Sequence, residues 1–249
     1  MNSVLNISAY RFVAIEDAGA LRPVLARRAG AHQLLGTILL ANEGINLFLA
    51  GAAAAVHAFL HELRADARFA DLPVRESWSP AQPFRKLRVK VKREIIRMNQ
   101  PAIQPLHGRA PALDALTLKR WLDQGHDDAG RPVVMLDTRN AFEVDYGTFD
   151  HAIDWRLSKF SDFPDALRER KRDLEGRTVV SFCTGGIRCE KAAIAMREAG
   201  VEQAWQLDGG ILGYLERNGA AHFRGRCFVF DERELLDASL APAAAGKSV

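Results

Sequence analysis

One segment of the chain restricts its possible folds more than any other. Thr178–Phe182 is a short run of apolar and β-branched residues, and it leads directly into Cys183-Thr184-Gly185-Gly186-Ile187-Arg188-Cys189. Such a run, without regular polar alternation, predicts a strand buried on both faces, as in a parallel sheet. A helical pattern follows, from about Cys189 to Ala199. The segment therefore predicts a strand, a glycine-containing loop and a helix in succession, with a cysteine where the strand ends.

Strands and helices alternate through the rest of the second half. Pro132–Asp137 is an apolar run that ends in a carboxylate, a third strand is expected near Ala204–Leu207, and Leu116–Leu122 has a helical pattern. This alternation predicts an open parallel sheet with helices on both faces. Ligands of such sheets bind beyond the carboxyl ends of the strands. We therefore expect residues 113–225 to form a parallel α/β domain with Cys183 at its ligand-binding edge.

The first half has a different order of elements. Strand, helix, strand, strand, helix and strand are predicted for Val4–Ile15, Gly19–Leu35, Thr37–Leu40, Ile45–Leu49, Ala52–Leu63 and Phe84–Ile96. The order βαββαβ is typical of a small ferredoxin-like domain, here assigned to residues 1–98. Three prolines in residues 99–112 indicate a linker. Residues 226–249 are assigned to a short C-terminal tail.

Composition places the chain among ordinary globular proteins, with 48% hydrophobic and 26% charged residues. No stretch approaches the roughly 18 consecutive apolar residues that a membrane helix needs. Met1–Ile15 lacks the basic start and apolar block of a secretory signal. Three cysteines are too few for a disulfide framework and suit a reducing compartment. We expect a cytoplasmic protein without membrane contact, and no feature indicates a protein partner.

Positive charge is concentrated in the first half of the chain. Residues 1–110 contain 15 Lys and Arg against 8 Asp and Glu, a net charge of +7, whereas residues 111–249 have a net charge of −4. Four cations alternate with three apolar residues in the last predicted strand of this half: Lys86, Arg88, Lys90 and Lys92 with Leu87, Val89 and Val91. Since strand side chains alternate between faces, the cations should line one face and the apolar residues should face the core. The stripe is either an ordinary solvated face or a surface that contacts RNA phosphates.

Cys183 is the strongest candidate for a reactive group. Two glycines in its loop allow the backbone to curl so that N–H groups point at the sulfur. The helix N-terminus and Arg188 should stabilise a thiolate, which lowers the pKa and makes Cys183 a nucleophile at neutral pH. The alternative, an inert buried cysteine, does not explain the strand–loop–helix context.

Other candidate residues are less specific. Cys189 could resolve an oxidised Cys183 as a disulfide, or it could only pack in the helix. His57 and His61 have i, i+4 spacing on a helix, but no third ligand or catalytic Glu accompanies them, so we predict no metal site. Asp137 and Arg139 are expected to organise the loop by hydrogen bonding rather than to react.

Several motifs resemble the rhodanese superfamily. The loop Cys183–Arg188 is accompanied by Leu136-Asp137-Thr138-Arg139 with Glu143 and Gly147, and by Leu207-Asp208-Gly209-Gly210. The resemblance implies a cysteine that holds sulfur as a persulfide, stabilised by a ring of amides. The six-residue loop is similar to that of sulfur-handling rhodaneses, and the related phosphatases have a loop one residue longer, which makes phosphatase activity a weak alternative.

Three longer motifs narrow the resemblance. CTGGIRCEK, Glu43-Gly44-Ile45-Asn46 and Cys227-Phe228-Val229-Phe230-Asp231 together resemble the bacterial tRNA uridine-34 hydroxylases, over about residues 4–232. The resemblance implies formation of 5-hydroxyuridine at the tRNA wobble position with molecular oxygen as co-substrate, no recognised metal or flavin, and Cys183 as the active-site cysteine. Longer members continue into a cysteine-rich tail, and here no cysteine follows Cys227.

Three functions therefore compete. The first is a tRNA-hydroxylating oxidoreductase whose basic N-terminal domain captures the anticodon arm. The second is a sulfurtransferase that forms a persulfide on Cys183. The third is a non-catalytic rhodanese module that binds a partner or senses oxidants, and the retained cysteine argues against it.

Overall fold

The computed structural model of the chain describes residues 4–243, and these divide into two compact units with the boundary between Arg97 and Met98. The first unit contains, in chain order, β1 (Val4–Phe12), α1 (Ala18–Ala31), β2 (Leu35–Ala41), β3 (Gly44–Gly51), α2 (Ala53–Arg64), β4 (Val74–Ser79) and β5 (Leu87–Val91). Its sheet has the strand order β4-β1-β3-β2-β5. The first four strands pair antiparallel, as in a ferredoxin-like sheet, and β5 pairs parallel to β2. The predicted fold class of this half is confirmed.

One strand of this unit was missed by the sequence prediction. β4 supplies the fourth strand of the ferredoxin-like sheet, and the strand predicted within Phe84–Ile96 is instead the additional β5. Val74–Ser79 has few apolar residues because it pairs only with β1 and lies at an edge of the sheet, so its pattern is weak. The observed order is therefore βαββαββ.

The second unit is built on a parallel sheet. Its elements are β6 (Ala112–Leu113), α3 (Ala115–Gln124), β7 (Val133–Asp137), α4 (Ala141–Val144), β8 (Gly147–Phe149), β9 (Ile153–Asp154), α5 (Phe163–Arg170), β10 (Thr178–Phe182), α6 (Ile187–Glu198), β11 (Ala204–Leu207), α7 (Gly210–Asn218), β12 (Phe223–Gly225), β13 (Cys227–Phe228) and β14 (Leu235–Leu236). The main sheet has the order β6-β11-β10-β7-β9, and every pair in it is parallel. β10 lies at its centre, and all five of its residues are buried, as the sequence predicts.

Two smaller features complete this unit. Residues 99–112, predicted as a linker, belong to the second unit, where Ile103 and Ala110 are buried and β6 joins the sheet. In the region assigned to the tail, β13 pairs antiparallel with β14. Residues 244–249 of that tail lie outside the described residues. Within residues 4–243, no helix is both long and apolar enough to cross a membrane.

Candidate active site

Cys183 lies at the carboxyl end of the central strand β10, as the sequence predicts, and its side chain is buried. The Gly186 N–H donates a hydrogen bond to Cys183 Sγ at 3.1 Å. Gly186 has a φ of 98°, a left-handed conformation that glycine adopts without strain, and it caps the N-terminus of α6. The loop therefore turns back on its own sulfur and brings the positive end of a helix to it.

Opposing effects act on the Cys183 thiol. Burial alone would raise its pKa, but three interactions outweigh burial and lower the pKa to about 5. These are a hydrogen bond from the Cys189 thiol, the positive charge of Arg188, and hydrogen bonds from the N–H groups of Arg188 and Gly186. At neutral pH the sulfur is therefore a thiolate, the form that acts as a nucleophile.

The other two cysteines are protonated at neutral pH. Burial and the hydrogen bond to Cys183 raise the pKa of Cys189 well above its usual value. Burial raises the pKa of Cys227, in β13, to about 12. Cys189 is thus a thiol placed against a thiolate, an arrangement compatible both with packing and with a resolving role.

Arg188 is held by Glu143, a residue for which the sequence alone suggested no role. Its guanidinium donates two hydrogen bonds to Glu143, at 2.7 and 2.8 Å, and both side chains are buried. Glu143 lies in the first turn of α4, where its carboxylate also accepts a hydrogen bond from the Asn140 N–H at 3.0 Å. The Thr184 hydroxyl lies 3.5 Å from the same carboxylate. In the sequence, the only indication of this arrangement is that Glu143 follows four residues after Arg139.

Asp137 and Arg139 support the thiolate indirectly, through the segment that carries Glu143, and not through hydrogen bonds to the Cys183 loop as the sequence suggested. The Asp137 carboxylate accepts hydrogen bonds from Arg139 Nε at 2.9 Å and from Thr148 Oγ1 at 2.8 Å, and Arg139 Nη2 donates to the Gly147 carbonyl at 2.6 Å. These bonds organise the connection from β7 to β8, which carries Glu143, rather than the Cys183 loop itself. This is because the partners of the Asp137 carboxylate, Arg139 and Thr148, follow it in the chain and belong to that connection.

The start of α7 fixes the outer side of the cysteine loop. The Ile211 N–H donates to the Cys183 carbonyl at 2.9 Å, and the Leu212 N–H donates to the Thr184 carbonyl at 3.1 Å. A Cβ on Gly210 would lie 2.4 Å from the Cys183 carbonyl oxygen, so only glycine allows this approach. The loop is thus held by α7 through its carbonyl groups, while the Gly186 N–H of the same loop is bonded to the sulfur.

The basic residues of β5 and its flanks lie where the alternation predicts, but one of the apolar residues between them does not. The four stripe residues are all exposed: Lys86, Arg88, Lys90 and Lys92. Leu87 and Val89 pack against the core, whereas Val91, the last residue of β5, is 43% exposed. Strand pairing places Arg88, Thr37 and Phe48 side by side on one face, with Phe48 exposed.

The histidine pair does not form a ligand cluster in the structure. His57 Nε2 lies 3.1 Å from Glu76 Oε1, on the surface, and His61 is also exposed. No group of three or more His, Cys, Asp or Glu side chains that could hold a metal is present among residues 4–243.

The fold and the thiolate loop define a rhodanese-type protein with an N-terminal acylphosphatase-like domain. Family models agree: residues 115–217 match the rhodanese-like domain, and residues 4–95 match the UPF0176 acylphosphatase-like domain. Among solved structures, a Saccharomyces cerevisiae protein described as a homologue of single-domain rhodanese and of the Cdc25 phosphatase catalytic domain is 24% identical, with a TM-score of 0.39, over 46% of this chain and 87% of its own.

Curated relatives match over nearly the whole chain. A tRNA uridine(34) hydroxylase from Variovorax paradoxus is 64% identical, over 100% of this chain and 94% of its own length. Proteins of the same name from Bordetella pertussis and Burkholderia pseudomallei are 64% and 59% identical, over 98% and 97% of this chain and 100% and 82% of their own lengths. The chain belongs to the tRNA uridine(34) hydroxylase family.

Proposed function

We propose that this chain is an oxidoreductase that hydroxylates uridine-34 of tRNA to 5-hydroxyuridine, with Cys183 as its reactive group. The observation that carries the proposal is membership of the hydroxylase family over the full chain length. The Cys183 thiolate, with its pKa lowered to about 5, supplies a nucleophile at the carboxyl edge of the sheet.

Molecular oxygen is the proposed co-substrate. Placing one oxygen atom on C5 of uracil leaves the second atom to be reduced to water, which requires two electrons and two protons. Oxidation of the Cys183 thiolate and the Cys189 thiol to a disulfide would supply both electrons and one proton, and the second proton would come from solvent water. The thiolate can enter the reaction either by adding to C6 of uracil, which activates C5, or by carrying a sulfur-bound oxygen.

The proposed tRNA surface includes the basic stripe of β5. Its four exposed cations are suited to phosphates, and Phe48 on the same face offers a ring to an unpaired base. tRNA as substrate also fits a cytoplasmic location.

Sulfurtransferase activity is the second candidate. The same loop amides that stabilise a thiolate would stabilise a Cys183 persulfide. The basic N-terminal unit favours RNA over a small sulfur acceptor.

Nucleoside mass spectrometry of tRNA, from cells with and without this gene, tests the proposal. We expect 5-hydroxyuridine and its derivatives to be lost without the gene. Purified protein should then hydroxylate uridine-34 tRNA in air and not under nitrogen. Failure in air, together with rapid transfer of sulfur from thiosulfate to cyanide, would favour the sulfurtransferase.

A further inference from the structure

Three aromatic side chains cluster beside the cysteine loop. Phe142 comes from α4, and Phe228 and Phe230 come from β13 and the residues after it. The ring centroids of Phe142 and Phe228 are 5.1 Å apart, those of Phe228 and Phe230 are 5.2 Å apart, and those of Phe142 and Phe230 are 6.4 Å apart. We call these three residues the aromatic cluster.

Two members of the aromatic cluster are exposed to solvent. Phe142 is 44% exposed and Phe230 is 57% exposed, whereas Phe228 is half-buried between them. Leaving neighbouring phenyl rings in water forgoes the hydrophobic stabilisation that burial would provide. Exposed apolar groups that lie together mark surfaces that bind something.

The aromatic cluster is continuous with the supports of the thiolate. The Thr184 hydroxyl, one residue after Cys183, donates to the Phe228 carbonyl at 3.4 Å. Phe142 immediately precedes Glu143, whose carboxylate holds Arg188. The aromatic cluster is therefore joined to the cysteine loop at two points, through Thr184 and through the residue next to Glu143.

Phe228, the half-buried ring that contacts both exposed rings, is held in place by its neighbours. Phe228 pairs with Leu235 in the β13–β14 hairpin, and the Val229 N–H donates to the Glu234 carbonyl at 2.8 Å. The Tyr146 ring stacks on Phe228 with centroids 5.8 Å apart and an angle of 23° between planes. Rings that are already ordered lose little conformational entropy when a ligand binds.

We propose that the aromatic cluster is a stacking site for an unpaired nucleobase of the tRNA anticodon loop. The inference rests on the proposed function and adds the residues that position the substrate. Proteins recognise RNA loops by splaying their bases onto aromatic side chains, and enzymes that modify a base must first take it out of the stack. A nucleotide next to uridine-34 stacks on Phe142 and Phe230 while the uracil of uridine-34 itself reaches Cys183.

Single substitutions measure the contribution of each ring. In Phe142→Ala and Phe230→Ala we expect the KM for tRNA to rise about fivefold to a hundredfold, the range that corresponds to one base–aromatic stack. Phe230→Tyr should stay within about twofold of wild type because it keeps the π-face. Phe230→Leu should behave like the alanine variant, since it keeps apolar area without a ring. Leu116→Ala, at a residue 62% exposed on α3, is the matched control and should change nothing.

Two further readouts separate binding from folding and from chemistry. Affinity for an anticodon stem–loop RNA, measured in a Cys183→Ser background, should fall by the same factor in the alanine variants. Alkylation of Cys183 should keep its wild-type rate in those variants when Cys183 is present. Alanine variants with unchanged KM and affinity, or with slowed alkylation of Cys183, would overturn the stacking site. Absence of hydroxylation by the wild-type protein would instead refute the proposed function, and the affinity measurement would still test the cluster.

Discussion

The Arg188 guanidinium and the Glu143 carboxylate form a two-point ion pair, 45 residues apart in the chain, with both side chains buried. The pair joins the first turn of α4, after β7, to the first turn of α6, after β10. Through it, the positive charge that stabilises the Cys183 thiolate is fixed in place. Removing either residue would leave the charge of the other buried and unpaired, which is energetically costly, so the two residues stabilise the site only together.

Glu143→Ala should lower the free energy of unfolding by about 3–5 kcal/mol, because it leaves the Arg188 charge buried and unpaired. Urea unfolding followed by circular dichroism measures the change. Asp165→Ala removes the partner of Arg168 in an exposed ion pair, so its cost should be at most about 1 kcal/mol. Equal effects of the two substitutions would show that the buried pair has no special role.

Cys183 should be the thiol that iodoacetamide modifies first. Its pKa of about 5 makes it a thiolate at pH 7, whereas burial keeps Cys189 and Cys227 protonated. The alkylation rate should rise through about pH 5 and be level above about pH 6.5, because the thiolate fraction is then complete. Mass mapping of the labelled peptides provides the measurement. Arg188→Gln should move the inflection to higher pH, and preferential labelling of Cys227 would contradict the assignment.

Cys183→Ser should fold normally and lose all formation of 5-hydroxyuridine. Serine is nearly the same size, but its hydroxyl stays protonated and cannot hold a persulfide. Cys189→Ser distinguishes the two roles of that thiol: activity should persist in part if it only packs, and should vanish if the two thiols cycle together. Nucleoside mass spectrometry of uridine-34 tRNA, treated in air and under nitrogen, gives the result. Full activity of Cys183→Ser would exclude the cysteine from the reaction.

Changing the four stripe residues to Gln should weaken tRNA binding and flatten its salt dependence. The stripe residues are Lys86, Arg88, Lys90 and Lys92. Each lost phosphate contact should reduce the slope of log affinity against log salt by about one. A control removes the same charge from the second unit by replacing four exposed residues: Arg168, Arg170, Lys171 and Arg172. If both variants have the same slope as wild type, the stripe is an ordinary solvated face.

Gly210→Ala should disable the site although it lies outside the cysteine loop. Its Cβ would lie 2.4 Å from the Cys183 carbonyl oxygen and 2.7 Å from the Gly186 nitrogen, so the loop must move. We expect slower alkylation of Cys183 and loss of activity. Gly125→Ala is a matched control, since Gly125 has a left-handed φ of 78° against 60° at Gly210 and no atom within 4 Å of its Cβ position. The control should cost only the strain of a left-handed alanine, about 1–2 kcal/mol, and should keep its activity.

The sequence predicted those parts of the site whose residues are neighbours along the chain. Thr178–Phe182 and the glycines after Cys183 are adjacent in the chain, so the strand, loop and helix could be predicted without knowledge of the rest. The roles of Glu143 and Gly210 depend on contacts across the sheet edge, which no local pattern encodes. β4 was missed because an edge strand needs little apolar sequence.

The position of β5 affects how copies of this chain behave toward one another. It is the last strand of its sheet, so one row of its backbone groups has no neighbouring strand within the described residues. Such edges tend to recruit a strand from another molecule, and lysines on them oppose this. Antiparallel pairing of two copies would bring like charges to about 5 Å from each other. Even if no phosphate ever contacts these cations, their mutual repulsion opposes pairing of two copies through β5.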